Sequence, residues 1–192
     1  MTRVLLIALL IASSSASAIV IRDDVEDSRY RISASEFPAL ADMPGEGHGI
    51  LIAPRWVVTA AHAVTWQPEI KQIMVNGVAR DVEELVIHPG YKKPSQELLD
   101  QALATWDWTL FRAALSASDD IALIKLAKPI SDVSPVSLNK WEREFNEIVE
   151  IIGKGATGKG DIGYQFGDPH RTELRRAQNK VTSAYGRWLC YS

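Results

Sequence analysis

The sequence has only one cysteine among its 192 residues, Cys190. This scarcity excludes a disulfide-stapled scaffold, because a single thiol cannot form a bond within the chain. We expect the Cys190 thiol to be buried, the alternative being a disulfide with another chain. The four histidines form no HExxH motif and no closely spaced pair. We therefore expect no metal site and no other cofactor.

A strong excess of charge is also absent, since the formal net charge is -3 at pH 7. A protein that binds nucleic acid or an anionic membrane by electrostatic attraction carries a marked excess of basic residues. We therefore expect neither partner. Hydrophobic residues make up 46% of the chain, which is enough for one large core or two small ones.

A run of apolar residues long enough to span a bilayer is missing as well, because the apolar stretch near the N-terminus covers only residues 4–12. This stretch follows the basic Arg3, and residues 16–18 (ASA) match the small-residue pattern at which signal peptides are cleaved. The arrangement predicts a secreted or periplasmic protein that has no membrane contact once the signal is removed. The mature chain would begin at Ile19, or at Ile32 after a second processing step.

From Phe37 onward, short apolar runs alternate with turn signals, a pattern typical of an antiparallel β-barrel. The dipeptide Asn76-Gly77 predicts a tight hairpin, because both residues accept the positive φ angles of a type I′ turn. The predicted strands of a first, closed barrel are 49–53, 56–59, 70–75, 79–87 and 121–126. Two further strands are predicted at 147–153 and 171–182, in a second barrel that is only partly present.

A histidine and an aspartate stand at the ends of two of these strands. Residues 56–63 read WVVTAAHA, so His62 follows an apolar strand, and residues 120–126 read DIALIKL, so Asp120 opens another. A neutral imidazole takes a proton from a hydroxyl nucleophile, and a carboxylate on its other nitrogen fixes its tautomer. The pair predicts a general base, His62, and an orienting carboxylate, Asp120, with Asp119 as the alternative carboxylate if the strand register differs.

The longer run GILIAPRWVVTAAH (49–62) resembles the histidine motif of trypsin-like serine proteases, which have the chymotrypsin fold, and DIALIKL resembles their aspartate motif. The resemblance covers roughly residues 36–190. It implies an all-β fold of two antiparallel barrels and the hydrolysis of polypeptide substrates by a Ser-His-Asp triad. It also implies that His62 and Asp120 are catalytic.

The family's third motif, Gly-Asp-Ser-Gly-Gly, supplies the nucleophile and the oxyanion-hole amides, and it does not occur in this sequence. Ser183 does not replace it, since it lies in a strand-like run without flanking glycines. Gly47 and Ala63 stand where many members have a disulfide. We therefore expect a disulfide-poor, C-terminally incomplete and inactive member of the family without a nucleophilic serine, and a monomer. The alternative function is that of a non-catalytic protease homologue that binds a peptide or protein partner.

Residues 94–118 lengthen the family's connection before the aspartate, and their pattern is helical. Apolar residues recur at helical spacing, and Ser95 is suited to cap a helix. One amphipathic helix is therefore predicted near 95–117. Its aromatic residues, Trp106, Trp108 and Phe111, are expected to pack the insertion onto the barrel. Alternatively, the insertion shapes the substrate cleft, which the corresponding loop borders in the family.

Two other segments receive structural interpretations. Residues 86–91 (VIHPGY) match a common non-catalytic segment of the family, so we expect a structural role for His88. The glycine-rich run 153–163 lacks the residue order of a phosphate-binding loop and is predicted to be a flexible loop.

Four segments are predicted in all. They are a signal peptide (1–18), a mature N-terminal segment (19–35), a first barrel with His62 and Asp120 (36–126), and a linker with a partial second barrel (127–192). Because the closing strands of that second barrel are expected to be missing, apolar side chains should be exposed near its edge. They are Val181, Tyr185, Trp188, Leu189 and Tyr191.

Overall fold

The computed structural model describes residues 19–45, 47–66, 69–141, 143–155, 157–159, 163–164, 173–185 and 188–191. The predicted signal peptide lies outside these residues, and the segment boundaries given above stay predictions. The chain divides into two compact units, one made of residues 1–31 and 152–177 and the other of residues 32–151 and 178–192. No helix in the described part of the chain has the length and apolar character needed to cross a membrane.

In the described part of the chain, the regular elements are strands with three α-helices among them. In chain order they are β1 (Ile19–Ile21), β2 (Leu40–Asp42), β3 (His48–Ala53), β4 (Trp56–Thr59), α1 (Ala61–Thr65), β5 (Gln72–Val75), β6 (Val78–Ile87), α2 (Gln96–Thr105), α3 (Thr109–Ser116), β7 (Ala122–Leu126), β8 (Ile148–Gly153), β9 (Thr157–Lys159), β10 (Gly163–Tyr164), β11 (Arg175–Tyr185) and β12 (Trp188–Tyr191). Single turns of 3₁₀ helix lie at Asp27–Arg29 and Ala34–Glu36.

Six strands of the second unit form a closed antiparallel barrel in the order β2-β3-β4-β7-β6-β5. The five strands predicted for this barrel are all present, and β4 has the predicted bounds. The sixth strand, β2, was not predicted. It closes the barrel by pairing with β3 on one side and β5 on the other.

The core of this unit fills the barrel, because alternate residues of each strand point inward. In β7, Ala122, Ile124 and Leu126 are buried while the residues between them are less so. Each fully buried Ile or Leu contributes about 1.5 to 3 kcal/mol relative to an exposed one. The other fully buried large side chains of the core are Leu51, Val57, Ile73 and Val75.

Two glycine-dependent features fix the register of the barrel. The hairpin between β5 and β6 turns at Asn76 and Gly77, as predicted, and both residues have positive φ angles, 51° and 73°. In β3, a Cβ atom on Gly49 would lie 2.5 Å from Val57 Cγ1, so only glycine allows β3 and β4 to approach this closely.

The insertion before Asp120 contains two helices, so the prediction of one continuous helix is wrong. Helix α2 begins at the predicted cap, where Ser95 Oγ accepts a hydrogen bond from Leu98 N. It ends at Thr105, and the next residue, Trp106, has a left-handed φ of 58°. The Asp107 carboxylate then accepts a hydrogen bond of 2.9 Å from the backbone of Thr109 at the start of α3. The helical spacing of apolar residues continues across this break. The sequence pattern therefore did not indicate that the helix is interrupted.

The first unit contains a small sheet in the order β1-β9-β10. Its β1 and β9 are parallel, with Ile19 opposite Thr157. Strand β9 lies in the glycine-rich run 153–163, so the prediction that this run is entirely a loop is wrong. No local sequence pattern indicates this strand, because its pairing partner is far away along the chain.

The remaining strands form a three-stranded sheet in the order β12-β11-β8. The expected exposure near its edge is found for Tyr185, Leu189 and Tyr191, and the side chain of Trp188 lies outside the described residues. The predicted exposure is wrong for Val181. This residue is 1% exposed, and its backbone is hydrogen-bonded to residues 146 and 147. Cys190 is exposed in β12, so its predicted burial is also wrong.

Candidate active site

His62 lies in the short helix α1, immediately after β4. Ala60 is still extended, and the helical turn then places the small residues Ala61 and Ala63 in the core. His62 lies between them on the helix and points outward, with 48% of its side chain exposed. The apolar residues that flank His62 therefore hold the turn against the barrel and leave the imidazole accessible.

Asp120 is brought to His62 by the pairing of β4 with β7. In this antiparallel pair Thr59, the last residue of β4, is opposite Ala122, the first residue of β7. Residues just after β4 and just before β7 consequently lie side by side, although they are far apart in sequence. The Asp120 side chain is 22% exposed.

The carboxylate of Asp120 contacts His62 twice. Its Oδ1 accepts a hydrogen bond of 2.8 Å from the His62 backbone N, and its Oδ2 lies 2.6 Å from His62 Nδ1. Such short distances are typical of charge-assisted hydrogen bonds. In a neutral imidazole that donates from Nδ1 to Asp120, the other ring nitrogen, Nε2, carries the lone pair. No group among the described residues hydrogen-bonds to Nε2.

Asp119, the alternative carboxylate, faces another histidine. Its Oδ2 lies 3.5 Å from His88 Nδ1. The same His88 nitrogen accepts a hydrogen bond of 3.1 Å from the backbone N of Gly90. The structure therefore brings Asp120 to His62 and Asp119 to His88, and the register of β7 leaves only Asp120 in position to orient His62.

A cavity of about 620 Å³ borders Asp120 on the side of the insertion. Three of its lining residues, Arg112, Leu115 and Ser116, belong to α3. Its other lining residues are His88, Ser118, Asp119, Asp120 and Ile121. The insertion thus reaches the neighbourhood of the candidate carboxylate.

Neither a cluster of metal ligands nor a serine hydrogen-bonded to His62 is found in the part of the chain that the structure describes. No group of three or more potential ligands is arranged to hold a metal ion there. Ser183, the serine considered above, lies in β11 opposite Cys190. No described serine hydrogen-bonds to His62.

The far end of α1 makes contacts that the sequence did not predict. Thr65 Oγ1 lies 3.1 Å from the Tyr91 hydroxyl, and Lys93 Nζ donates a hydrogen bond of 2.9 Å to Thr65 O. The Lys93 ammonium also lies 4.3 Å from the centre of the Trp66 ring. Phe111 of α3 also packs against Trp66, with 6.3 Å between the two ring centroids. These partners are too distant in sequence for any local pattern to reveal them.

The aromatic residues of the insertion differ in their roles. Phe111 contacts Trp66 next to α1, and Trp108 packs edge-to-face on Phe111 at 5.6 Å between centroids. Trp106, in contrast, is 63% exposed. Phe111 therefore packs the insertion against the end of α1, whereas Trp108 contacts Phe111 within the insertion and most of the Trp106 side chain faces solvent.

Comparison with known proteins places this site in a family. The Trypsin family model matches residues 28–185, which is most of the chain and includes both His62 and Asp120. The chain belongs to the trypsin family. This relation confirms the resemblance inferred from the two sequence motifs.

Among solved structures, this trypsin-family chain is similar to neuropsin, a serine protease expressed in the limbic system of mouse brain. The TM-score is 0.57 at 21% sequence identity, and the match covers 80% of this chain and 64% of the neuropsin chain. The likeness shows the all-β chymotrypsin-like fold, and the chain spans less than two thirds of that structure. A search of curated protein sequences finds no match.

Proposed function

We propose that this chain carries the general base and the orienting carboxylate of a secreted serine endopeptidase, and that it is inactive without a nucleophilic serine. The observation that carries the proposal is the double contact of Asp120 with His62, at 2.8 and 2.6 Å. A carboxylate that binds both the backbone N and the ring of one histidine holds the imidazole in a single orientation and in the Nδ1-H tautomer.

The proposed chemistry follows from this tautomer. The Nε2 lone pair of His62 takes the proton of a serine hydroxyl as the oxygen attacks the carbonyl carbon of a peptide bond. The imidazolium formed in this step is stabilised by the Asp120 carboxylate at 2.6 Å. It then returns the proton to the leaving amine. General base catalysis of this kind contributes about 10²- to 10⁴-fold to the rate.

Family membership supports polypeptides as substrates, and the predicted signal peptide supports secretion or a periplasmic location. The net charge of -3 gives no basis for nucleic acid binding. We propose that the protein acts as a monomer.

The arrangement of the pair is tested by ¹⁵N NMR of the imidazole rings at neutral pH, which identifies the protonated nitrogen. We expect the proton of His62 on Nδ1 in the parent protein. In Asp120→Asn the amide cannot accept both hydrogen bonds, so the Nδ1-H form should be depleted. Asp119→Asn is the matched control and should leave His62 unchanged. A parent His62 without the Nδ1 proton, or a larger effect of the Asp119 variant, would contradict the proposal.

Activity provides the second test. The 192-residue chain should not react with a fluorophosphonate probe, because its sequence contains no Gly-Asp-Ser-Gly-Gly motif. In a longer form that includes a nucleophilic serine, His62→Ala should lower kcat by at least three orders of magnitude. Labelling of a serine in the 192-residue chain, or normal turnover after His62→Ala in the longer form, would be inconsistent with these roles.

A second candidate function is the binding of a peptide or protein partner without cleavage. It is favoured by four large apolar side chains that lie close together in the sequence and are 60 to 71% exposed. They are Leu138, Trp141, Phe145 and Ile148. Exposed apolar side chains mark an interaction surface where they form one contiguous patch. Absence of a serine-bearing longer form, together with saturable peptide binding by this chain, would favour this function over proteolysis.

A further inference from the structure

The two members of the candidate pair are linked by a third segment, residues 88–93, which runs from the end of β6 towards the insertion. At its beginning, His88 N donates a hydrogen bond of 3.0 Å to Ile121 O. Two residues later, Gly90 O accepts a hydrogen bond of 3.2 Å from Asp119 N. The segment therefore bonds to the backbone on both sides of Asp120.

The backbone around Asp120 is itself closed into a tight turn. Ile121 N donates a hydrogen bond of 2.8 Å to Asp119 O, so Asp120 is the central residue of a three-residue turn. A Cβ atom on Gly90 would overlap Asp119 Oδ2, which shows how closely the segment approaches this turn. The direction of the Asp120 side chain is thus fixed by a turn whose two ends are tied to residues 88–93.

The other end of the segment reaches the helix that carries His62. Tyr91 OH lies 3.1 Å from Thr65 Oγ1, and Lys93 Nζ donates a hydrogen bond of 2.9 Å to Thr65 O, one of the last carbonyl groups of α1. A cation at a helix C-terminus is favourable because the carbonyl groups there have no partner within the helix. The position of the same ammonium over the Trp66 ring adds a cation–π contact at 4.3 Å.

We propose that residues 88–93 are a positioning segment, which sets the separation of His62 from Asp120 by bonding both to the turn that presents Asp120 and to the end of α1. This inference rests on the proposed function, because it assigns the segment a role in preparing the catalytic pair. Tyr91 and Lys93 act through α1 and do not touch the reacting atoms. They are positioning residues.

The test measures the His62–Asp120 hydrogen bond directly, by the exchange rate of the His62 Nδ1 proton with water in ¹H–¹⁵N NMR spectra of the 192-residue protein. Lys93→Met removes the cation from Thr65 O and Trp66. We expect exchange of the His62 proton to be about 3- to 10-fold faster, as the loss of one hydrogen bond predicts. Lys93→Arg keeps a cation that can reach the same groups and should restore the parent rate.

The matched control is Lys92→Met, the same substitution at the neighbouring, exposed lysine. It should leave the His62 proton unchanged. Tyr91→Phe removes only the hydroxyl that contacts Thr65 and should accelerate exchange within the same range. Backbone amide spectra of β4 and β7 show whether each variant is folded. If Lys93→Met is unfolded, the exchange rate in Tyr91→Phe tests the positioning role of residues 88–93.

The outcomes separate this inference from the proposed function. If the parent protein has no slowly exchanging proton on His62 Nδ1, the catalytic pair itself is refuted. If the parent has this proton but folded Lys93→Met and Tyr91→Phe exchange it at the rate of Lys92→Met, the pair stands and the positioning role of residues 88–93 is overturned.

Discussion

Truncation of Ile124 should show how strongly the barrel depends on a single inward-facing position. Ile124 is 0% exposed, and in β7 it is opposite Val57 of β4 and Leu85 of β6. Ile124→Ala removes three carbon atoms, which is about 2.4 kcal/mol of transfer free energy at about 0.8 kcal/mol each. The cavity left behind adds about 1 kcal/mol or more, because strands on both sides limit relaxation. We expect the free energy of unfolding of the barrel to fall by about 3 to 4 kcal/mol.

Native-state hydrogen exchange is the appropriate assay, since it reports on the barrel alone and does not require that the two compact units unfold together. The amides of β4 and β7 should exchange roughly two to three orders of magnitude faster in Ile124→Ala than in the parent protein. Ile87→Ala is the matched control. Ile87 is an isoleucine in the same barrel but is 39% exposed, so its truncation should cost only about 1.5 kcal/mol and leave no enclosed cavity.

Tight packing around Ile124 would be refuted if both variants lost the same protection, or if Ile124→Ala lost less than about 1 kcal/mol. Either result would mean that the barrel interior is not packed around β7. The position of Asp120, which directly precedes this strand, would then need another explanation.

Two further predictions concern an ion pair in the first unit and the close approach of β3 to β4. The hydrogen bond from Arg175 holds the pKa of the Asp27 carboxyl below its usual value, so its contribution to stability is complete above about pH 4 and is lost as the pH falls through the folded-state pKa. Calorimetry should therefore find Asp27→Asn less stable than the parent at about pH 6, with a smaller deficit at about pH 2, and an equal deficit at both would contradict this. Gly49→Ala places a methyl group 2.5 Å from Val57 Cγ1 and should cost about 1 to 3 kcal/mol in urea denaturation, whereas the methyl group of Gly155→Ala meets open space and should change stability by less than about 0.5 kcal/mol. Equal costs for the two glycine variants would contradict that argument.

The parts of the fold that the sequence predicted are those set by neighbouring residues. Strand β4 alternates buried and less buried positions, and the hairpin at Asn76-Gly77 needs two residues that accept a positive φ. The candidate pair was predicted for a similar reason, because His62 and Asp120 each stand beside a recognisable apolar strand. Only the pairing of these strands was needed to bring the two side chains together.

The parts that were missed depend on partners distant in the sequence. Strand β2 has three residues and is defined by its two neighbours in the barrel, and β9 pairs with β1 from the other end of the chain. Val181 is buried because a bulge in β11 and bonds to residues 146 and 147 place it there, which no local periodicity encodes. The break between α2 and α3 was the exception, since Asp107 is a capping residue type that could have indicated it.

The geometry of the pair also determines how the fold controls the site. Asp120 binds the backbone N of His62 as well as the ring. The carboxylate therefore holds the imidazole in a defined position relative to the main chain of His62. The barrel therefore has to place one turn against one helical segment, and the register of β4 with β7 does so. Any change that loosens this register lengthens both hydrogen bonds at once, and the bonds from residues 88–93 oppose such a change from both sides. Barrel packing and the orientation of His62 should consequently weaken together, with the imidazole losing its fixed tautomer before the barrel unfolds.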